Sequence, residues 1–138
     1  MKILILEDCN EKYMALARVL KRMGEEDVSW VSNQADGTAL LETAAGAGAP
    51  FELIITDMHY PPRPGVPSEF DCGRKLPELL REKGLHPRIV LCSSVRYRVP
   101  GFDACLWYSR GSEWESELRD ILQRFRQSAR TLSAGESN

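Results

Sequence analysis

Three acidic residues follow two short apolar segments of this chain, where carboxylates could bind a metal ion or act as a nucleophile. Residues 2–6 run directly into Glu7 and Asp8, and residues 51–56 run directly into Asp57. If both segments are neighbouring parallel strands, their carboxyl ends meet at one edge of the sheet, where α/β proteins bind ligands. Three carboxylates at close range are costly unless a cation or a proton compensates their charge. The pattern therefore predicts a divalent-cation site and indicates that one carboxylate is there to react.

Alternating strand-like and helix-like segments must position these acids. The apolar patterns predict strands at 2–6, 27–31, 51–57, 89–92 and 104–107. They predict helices at 11–23, 34–45 and 71–84, and a last helix that starts where Ser112 and Glu115 have capping-box spacing. Such alternation favours an α/β protein with helices on both faces of a parallel sheet. We expect the flavodoxin-like (βα)5 three-layer sandwich, with its five strands in the order 2-1-3-4-5.

Length and composition fit one compact domain, which we expect to span residues 1–127. The chain has 138 residues, and its Ser-, Gly-, Thr- and Glu-containing end predicts a disordered tail at 128–138.

The net charge of −2, with acids and bases interspersed, argues against direct binding of nucleic acid. No apolar run could span a bilayer and the start does not resemble a signal peptide, so we expect no membrane segment and a cytoplasmic location. The four cysteines form no CxxC pair and are expected to be free thiols in a reducing compartment.

Several short motifs together resemble the receiver domain of two-component signalling, over roughly residues 2–126. They are ILILED at the end of the first strand, LIITDM around Asp57, Pro61 four residues after Asp57, the Ser93–Ser94 pair after the fourth strand, and Gly73 near the start of the third helix. The acidic pair alone is a weak signal. Combined with the LIITDM segment about fifty residues further on, the acidic pair identifies the chain as similar to a single-domain, atypical response regulator receiver.

The resemblance implies a chemical role for each of these residues. Asp57 would be the phosphoacceptor, and Glu7, Asp8, Asp57 and the backbone carbonyl of His59 would hold Mg²⁺. Ser93 would donate a hydrogen bond to the phosphoryl oxygen. The chain would then be a signalling protein whose only catalysis is its own phosphorylation and dephosphorylation. Its phosphoryl donor would be a sensor histidine kinase or a phosphotransfer protein, its target an unknown downstream protein, and its state a monomer or weak dimer.

The chain departs from the family pattern around the fifth strand. Tyr108 stands where the family has a lysine that contacts the phosphoryl group, and Arg110, two residues on, could replace that lysine if the loop turns inward. Cys105 stands at the place of the family's switch aromatic. Residues 95–100 are too few for an ordinary helix and include a proline, so we expect the fourth helix to be shortened or missing.

The loop after Asp57 is enlarged and rich in proline at residues 59–67, and it should overhang the acidic crevice. We favour a tolerated surface insertion over a lid or partner-docking element in which Arg63 would contact a phosphate or carboxylate.

Two functional hypotheses stay open from the sequence. The first is a stand-alone receiver phosphorylated on Asp57 that signals through protein–protein contacts. The second is a pseudo-receiver, a protein-interaction module that works without phosphorylation. A flavin or nucleotide enzyme is disfavoured because the first strand–helix turn, residues 7–12, is acidic and lacks glycine. A dehalogenase-type phosphatase is disfavoured because neither Asp8 nor Asp57 has a second aspartate two residues later.

Overall fold

The computed structural model describes residues 1–136 as five strands and four helices. In chain order they are β1 (Ile3–Leu6), α1 (Asn10–Arg22), β2 (Val28–Val31), α2 (Gln34–Gly46), β3 (Leu53–Thr56), α3 (Cys72–Glu82), β4 (Arg88–Ser93), β5 (Ala104–Trp107) and α4 (Trp114–Glu136). All strand pairings are parallel and the sheet order is β2-β1-β3-β4-β5. The predicted fold class and strand order are confirmed.

The centre of the sheet is formed by β1 and β3, the strands that come from continuously apolar segments of the sequence. Every residue of β1 and β3 is buried, because helices cover both faces of the sheet. Successive side chains of β1 enter opposite clusters: Ile3 and Ile5 lie with residues of α1 and α4, whereas Leu4 and Leu6 lie with residues of α2 and α3. This packing on two sides fixes the carboxyl ends of β1 and β3 relative to each other.

The connection between β4 and β5 contains no helix among the residues that the structure describes. The predicted loss of the fourth helix is therefore confirmed. The indole of Trp107 donates a hydrogen bond to the Ser94 carbonyl at 2.9 Å, and the Arg96 guanidinium lies 4.4 Å from the Trp107 ring centroid. These contacts hold the connection against β5, where a helix would otherwise cover the sheet.

Two predictions at the last helix need correction. The Ser112 hydroxyl does not form the capping box with Glu115; it donates to the Trp107 carbonyl at 3.0 Å and accepts from the Ser109 amide at 3.1 Å, and thus closes the turn after β5. The helix begins at Trp114 and continues to Glu136, so residues 128–136 are helical where the composition predicted a disordered tail. An established helix propagates at low cost through sequence that is not strongly helix-breaking. Residues 137–138 of that predicted tail lie outside the described residues.

Across residues 1–136, no helix combines the length and apolar character needed to cross a membrane.

Candidate functional site

The sheet topology brings the three predicted acids together. Leu6 and Thr56 are partners in the β1–β3 register, so Glu7, Asp8 and Asp57 leave the sheet at the same edge. One carboxylate oxygen from each acid lies within 4.8 Å of the other two. Glu7 is buried, Asp57 is partly exposed and Asp8 is exposed, so the cluster opens from the sheet towards solvent. We refer to this cluster as the acidic crevice.

Local backbone contacts orient Asp57 within the acidic crevice. Its Oδ1 accepts a hydrogen bond from the Met58 amide at 2.7 Å, while its Oδ2 lies 3.3 Å from Lys12 Nζ. The start of α3 presses against the same backbone, because the Gly73 amide donates to the Met58 carbonyl at 3.0 Å. A Cβ atom at position 73 would lie 2.0 Å from the Asp57 carbonyl oxygen, so only glycine allows this approach.

Lys12 is a residue of the site that the sequence interpretation missed. From the first turn of α1 its ammonium reaches Glu7 Oε2 at 3.0 Å, Asp57 Oδ2 at 3.3 Å and the Cys92 carbonyl oxygen at 2.8 Å. The lysine side chain is only 10% exposed. One signal in the sequence could have found it: Lys12 is the single basic residue in the acidic turn of residues 7–12. The structure thus places a buried cation between carboxylates contributed by β1 and β3.

Burial and charge pairing shift the pKa values of this pair. Burial disfavours the carboxylate of Glu7 and raises its pKa to about 7; Asp57 adds to the rise, and Lys12 opposes both. Burial works against the charged form of Lys12, but the acidic groups Cys92, Asp57 and Glu7 outweigh it and raise the lysine pKa. Lys12 is therefore a persistent positive charge at neutral pH, and the carboxyl group of Glu7 takes up a proton as the pH falls through neutrality.

The structure locates the remaining predicted residues, whose roles stay predictions. Ser93 is buried, and its hydroxyl accepts a hydrogen bond from the Val95 amide at 3.3 Å. The Tyr108 ring centroid lies 5.4 Å from Lys12 Nζ, so this tyrosine borders the acidic crevice. Arg110 is exposed in the turn after β5, and the His59 ring lies 4.5 Å from the ring of exposed Phe70.

The enlarged loop after Asp57 is anchored at both of its ends. Tyr60 is fully buried, and the carbonyls of Pro61 and Pro62 accept hydrogen bonds from the first two amides of α2. Further along, the Ser68 hydroxyl donates to Asp8 Oδ2 at 3.0 Å. The loop therefore reaches the acidic crevice, as expected, while Arg63 is exposed. The interpretation of this loop as a tolerated insertion, rather than a lid, stays a prediction.

Comparison with known proteins identifies the fold as that of receiver domains. No family model matches the sequence, and neither does any curated protein. Solved structures do match. One is a LuxR-family DNA-binding response regulator from Staphylococcus aureus, with a TM-score of 0.64, 19% identity, and coverage of 88% of this chain and 95% of that one. Another is the signal receiver domain of an HD domain-containing protein from Pseudomonas fluorescens Pf-5, with a TM-score of 0.68, 14% identity, and coverage of 94% and 96%.

A third similar structure contains bound ligands. It is the receiver domain of the histidine kinase CKI1 from Arabidopsis thaliana complexed with Mg²⁺ and BeF₃⁻, with a TM-score of 0.61, 18% identity, and coverage of 88% of this chain and 89% of that one. At these identities the likeness establishes the receiver fold, which supports the resemblance found in the sequence. The chemistry of this chain must be argued from its own residues.

Proposed function

We propose that this chain is a single-domain receiver that accepts a phosphoryl group on Asp57 in a Mg²⁺-dependent reaction and signals through protein–protein contacts. The observation that carries the proposal is the convergence of three carboxylates, from β1 and β3, at the carboxyl edge of a receiver-type sheet. The CKI1 receiver domain, which has the same fold, was crystallised with Mg²⁺ and BeF₃⁻. Within this proposal the donor is a sensor histidine kinase or phosphotransfer protein, and the chain is a cytoplasmic signalling protein rather than an enzyme acting on small molecules.

The residues of the acidic crevice fit a magnesium ion. Mg²⁺ prefers carboxylate oxygens and is commonly held by few of them, with water and phosphate oxygens completing its shell. With all three acids ionised, their charge together with that of Lys12 sums to −2, which one divalent ion neutralises. Glu7, Asp8, Asp57 and the His59 carbonyl would hold the ion. The ion would reduce the repulsion between the nucleophile and the incoming phosphoryl group.

The proposed reaction needs one accessible carboxylate oxygen. The Asp57 side chain is 17% exposed, so a donor can approach it from solvent. An Asp57 carboxylate oxygen attacks phosphorus, a new P–O bond forms, and the bond from phosphorus to the donor breaks with its electron pair going to the donor. When the donor is phosphohistidine, the leaving imidazole nitrogen keeps that pair and takes up a proton. The product is an acyl phosphate on Asp57. Ser93 would donate a hydrogen bond to the phosphoryl group, because accepting from the Val95 amide leaves its hydroxyl hydrogen to donate.

The test is phosphorylation with acetyl phosphate and Mg²⁺, followed by intact mass measurement. We expect one phosphoryl adduct that requires Mg²⁺ and is absent from Asp57→Asn. Asp27→Asn is the matched control, because Asp27 is exposed and lies at the amino end of β2, away from the acidic crevice. Failure to form the adduct with acetyl phosphate, and equally with a panel of phosphorylated histidine-containing donors, would overturn the proposal. That result would leave the pseudo-receiver as the better description.

A further inference from the structure

Lys12 contributes a buried ammonium to the acidic crevice from α1, a helix to which the family resemblance assigns no site residue. Its three ammonium hydrogens match three acceptors: Glu7 on β1's carboxyl side, Asp57 after β3, and the Cys92 carbonyl on β4. A buried ammonium is retained only when such partners compensate its lost hydration. Lys12 is therefore held at the point where the ends of three strands meet.

The position at the end of β5, where the family has its lysine, is filled by an aromatic ring facing this ammonium. The Tyr108 ring centroid lies 5.4 Å from Lys12 Nζ, and the ring is itself packed against Trp114 at a centroid distance of 4.9 Å. An ammonium over an aromatic face at this range is attracted by the ring quadrupole. The tyrosine thus borders the space in which a lysine from β5 would end, and the cation in that space comes from α1.

We propose that Lys12 is the phosphoryl-contacting ammonium of this receiver, supplied by α1 in place of a lysine on β5. The inference rests on the proposed function. Before transfer, Lys12 pairs with Asp57 Oδ2; after transfer, the aspartyl phosphate carries more negative charge than the carboxylate it replaces, and the flexible lysine stem lets the ammonium follow that charge. Tyr108 acts as a positioning residue that limits where the ammonium can move.

The same geometry predicts opposite effects of Lys12 on the two ligands of the site. Lys12 shares Glu7 and Asp57 with the proposed Mg²⁺ ion, so it opposes binding of the metal by charge repulsion. It attracts the phosphoryl group, so it favours transfer. With all three acids ionised, removing the ammonium should therefore strengthen Mg²⁺ binding and weaken phosphorylation. A residue that only supports the fold would weaken both when it is removed.

The experiment compares wild type with Lys12→Met at an alkaline pH at which all three acids are ionised, using Mg²⁺ titration calorimetry and the rate of adduct formation from acetyl phosphate at saturating Mg²⁺. We expect Lys12→Met to bind Mg²⁺ at least about fivefold more tightly and to form the adduct roughly 10- to 100-fold more slowly. Lys21→Met is the matched control, because Lys21 is exposed in the last turn of the same helix, and it should match wild type in both measurements.

Two further variants extend the test, and the second of them, Lys12→Arg, keeps a cation at this position and so keeps the test decisive if Lys12→Met folds poorly. In Lys12→Met combined with Tyr108→Lys, an ammonium returns from β5, and most of the lost rate should be recovered. Lys12→Arg keeps the charge but changes its geometry, so its rate should lie between those of wild type and Lys12→Met. An adduct rate in Lys12→Met equal to that of wild type, or no recovery in the double variant, would overturn the role of Lys12 alone. No adduct on wild type would overturn the proposed function, and the inference with it.

Discussion

Replacing Gly73 with alanine tests whether the start of α3 sets the position of the phosphoacceptor. In the Gly73→Ala variant the new methyl group would lie 2.0 Å from the Asp57 carbonyl oxygen and 2.7 Å from Met58 Cα. Both are backbone atoms, so no side chain can rotate away to make room. The start of α3 and the segment after β3 must separate by about 1 Å or more before the contact becomes tolerable.

The expected cost follows from that forced separation. Overpacking of a well-packed region typically costs about 1–3 kcal/mol, and the backbone clash places Gly73→Ala towards the upper end of this range, about 2–3 kcal/mol. Alanine has a better helix propensity than glycine by up to about 1 kcal/mol, which offsets part of the cost if position 73 behaves as helix interior. The net loss should lower the midpoint of thermal unfolding by roughly 5–10 °C for a domain of this size.

Urea unfolding followed by circular dichroism measures the loss, and Mg²⁺ titration reports on the site. Gly46→Ala is the matched control, since Gly46 ends α2, is exposed, and has nothing within 4 Å of an added Cβ. That variant should be unchanged or more stable by up to about 1 kcal/mol. Gly73→Ala should also bind Mg²⁺ more weakly, because displacing the Asp57 backbone displaces one of the ligands. Wild-type stability and wild-type Mg²⁺ affinity in Gly73→Ala would refute the argument that this close contact fixes the site.

Three further predictions concern the loop after Asp57, the start of α2, and the ion pairs of Glu25 before β2. Tyr60→Ala should lose about 3–5 kcal/mol, because the ring is fully buried, whereas Phe70→Ala in the same loop, where the ring is 69% exposed, should stay within about 0.5 kcal/mol in urea unfolding. Asn33→Ala should lose about 1 kcal/mol in the same assay, since its side chain caps α2 by accepting a hydrogen bond from the amide of the third helical residue. Burial raises the pKa of Glu25, but hydrogen bonds from the terminal amino group and from Arg126 outweigh burial and lower it. The stability that ionised Glu25 contributes is therefore present above the ordinary glutamate pKa and is lost as the pH falls through the lowered value, so thermal unfolding across this range should show a weaker acid dependence in Glu25→Gln than in wild type.

The parts of the fold that the sequence predicted are those set by continuous apolar runs. Strands β1 and β3 are short, apolar except for Thr56 at the end of β3, and buried on both faces, so their boundaries agree with the predicted ones to within two residues. The convergence of the acids follows from topology alone, because parallel neighbouring strands end at one edge. The missing helix between β4 and β5 followed from the small number of residues available for it.

Hydrogen-bond partners from other parts of the chain explain the two features that the sequence interpretation got wrong or missed. Ser112 and Glu115 have the spacing of a capping box, but the Ser112 hydroxyl bonds to the turn that leaves β5, and a spacing rule cannot weigh that alternative. Lys12 was missed for a related reason. A lysine in the first turn of an amphipathic helix usually extends into solvent, and one of the groups that draw it inwards, the Cys92 carbonyl, lies eighty residues further along the chain.

The position of Lys12 changes how the absence of a lysine on β5 should be interpreted. The crevice needs a positive charge near its acids, and any element that borders it can supply one, because a lysine stem is long and flexible. Helix α1 starts at Asn10, two residues after Asp8, and its first turn places Lys12 Nζ 3.3 Å from Asp57 Oδ2. The departure at Tyr108 therefore does not by itself favour a pseudo-receiver. What separates the two hypotheses is whether the crevice, with its ammonium entering from α1, still accepts both a divalent ion and a phosphoryl group.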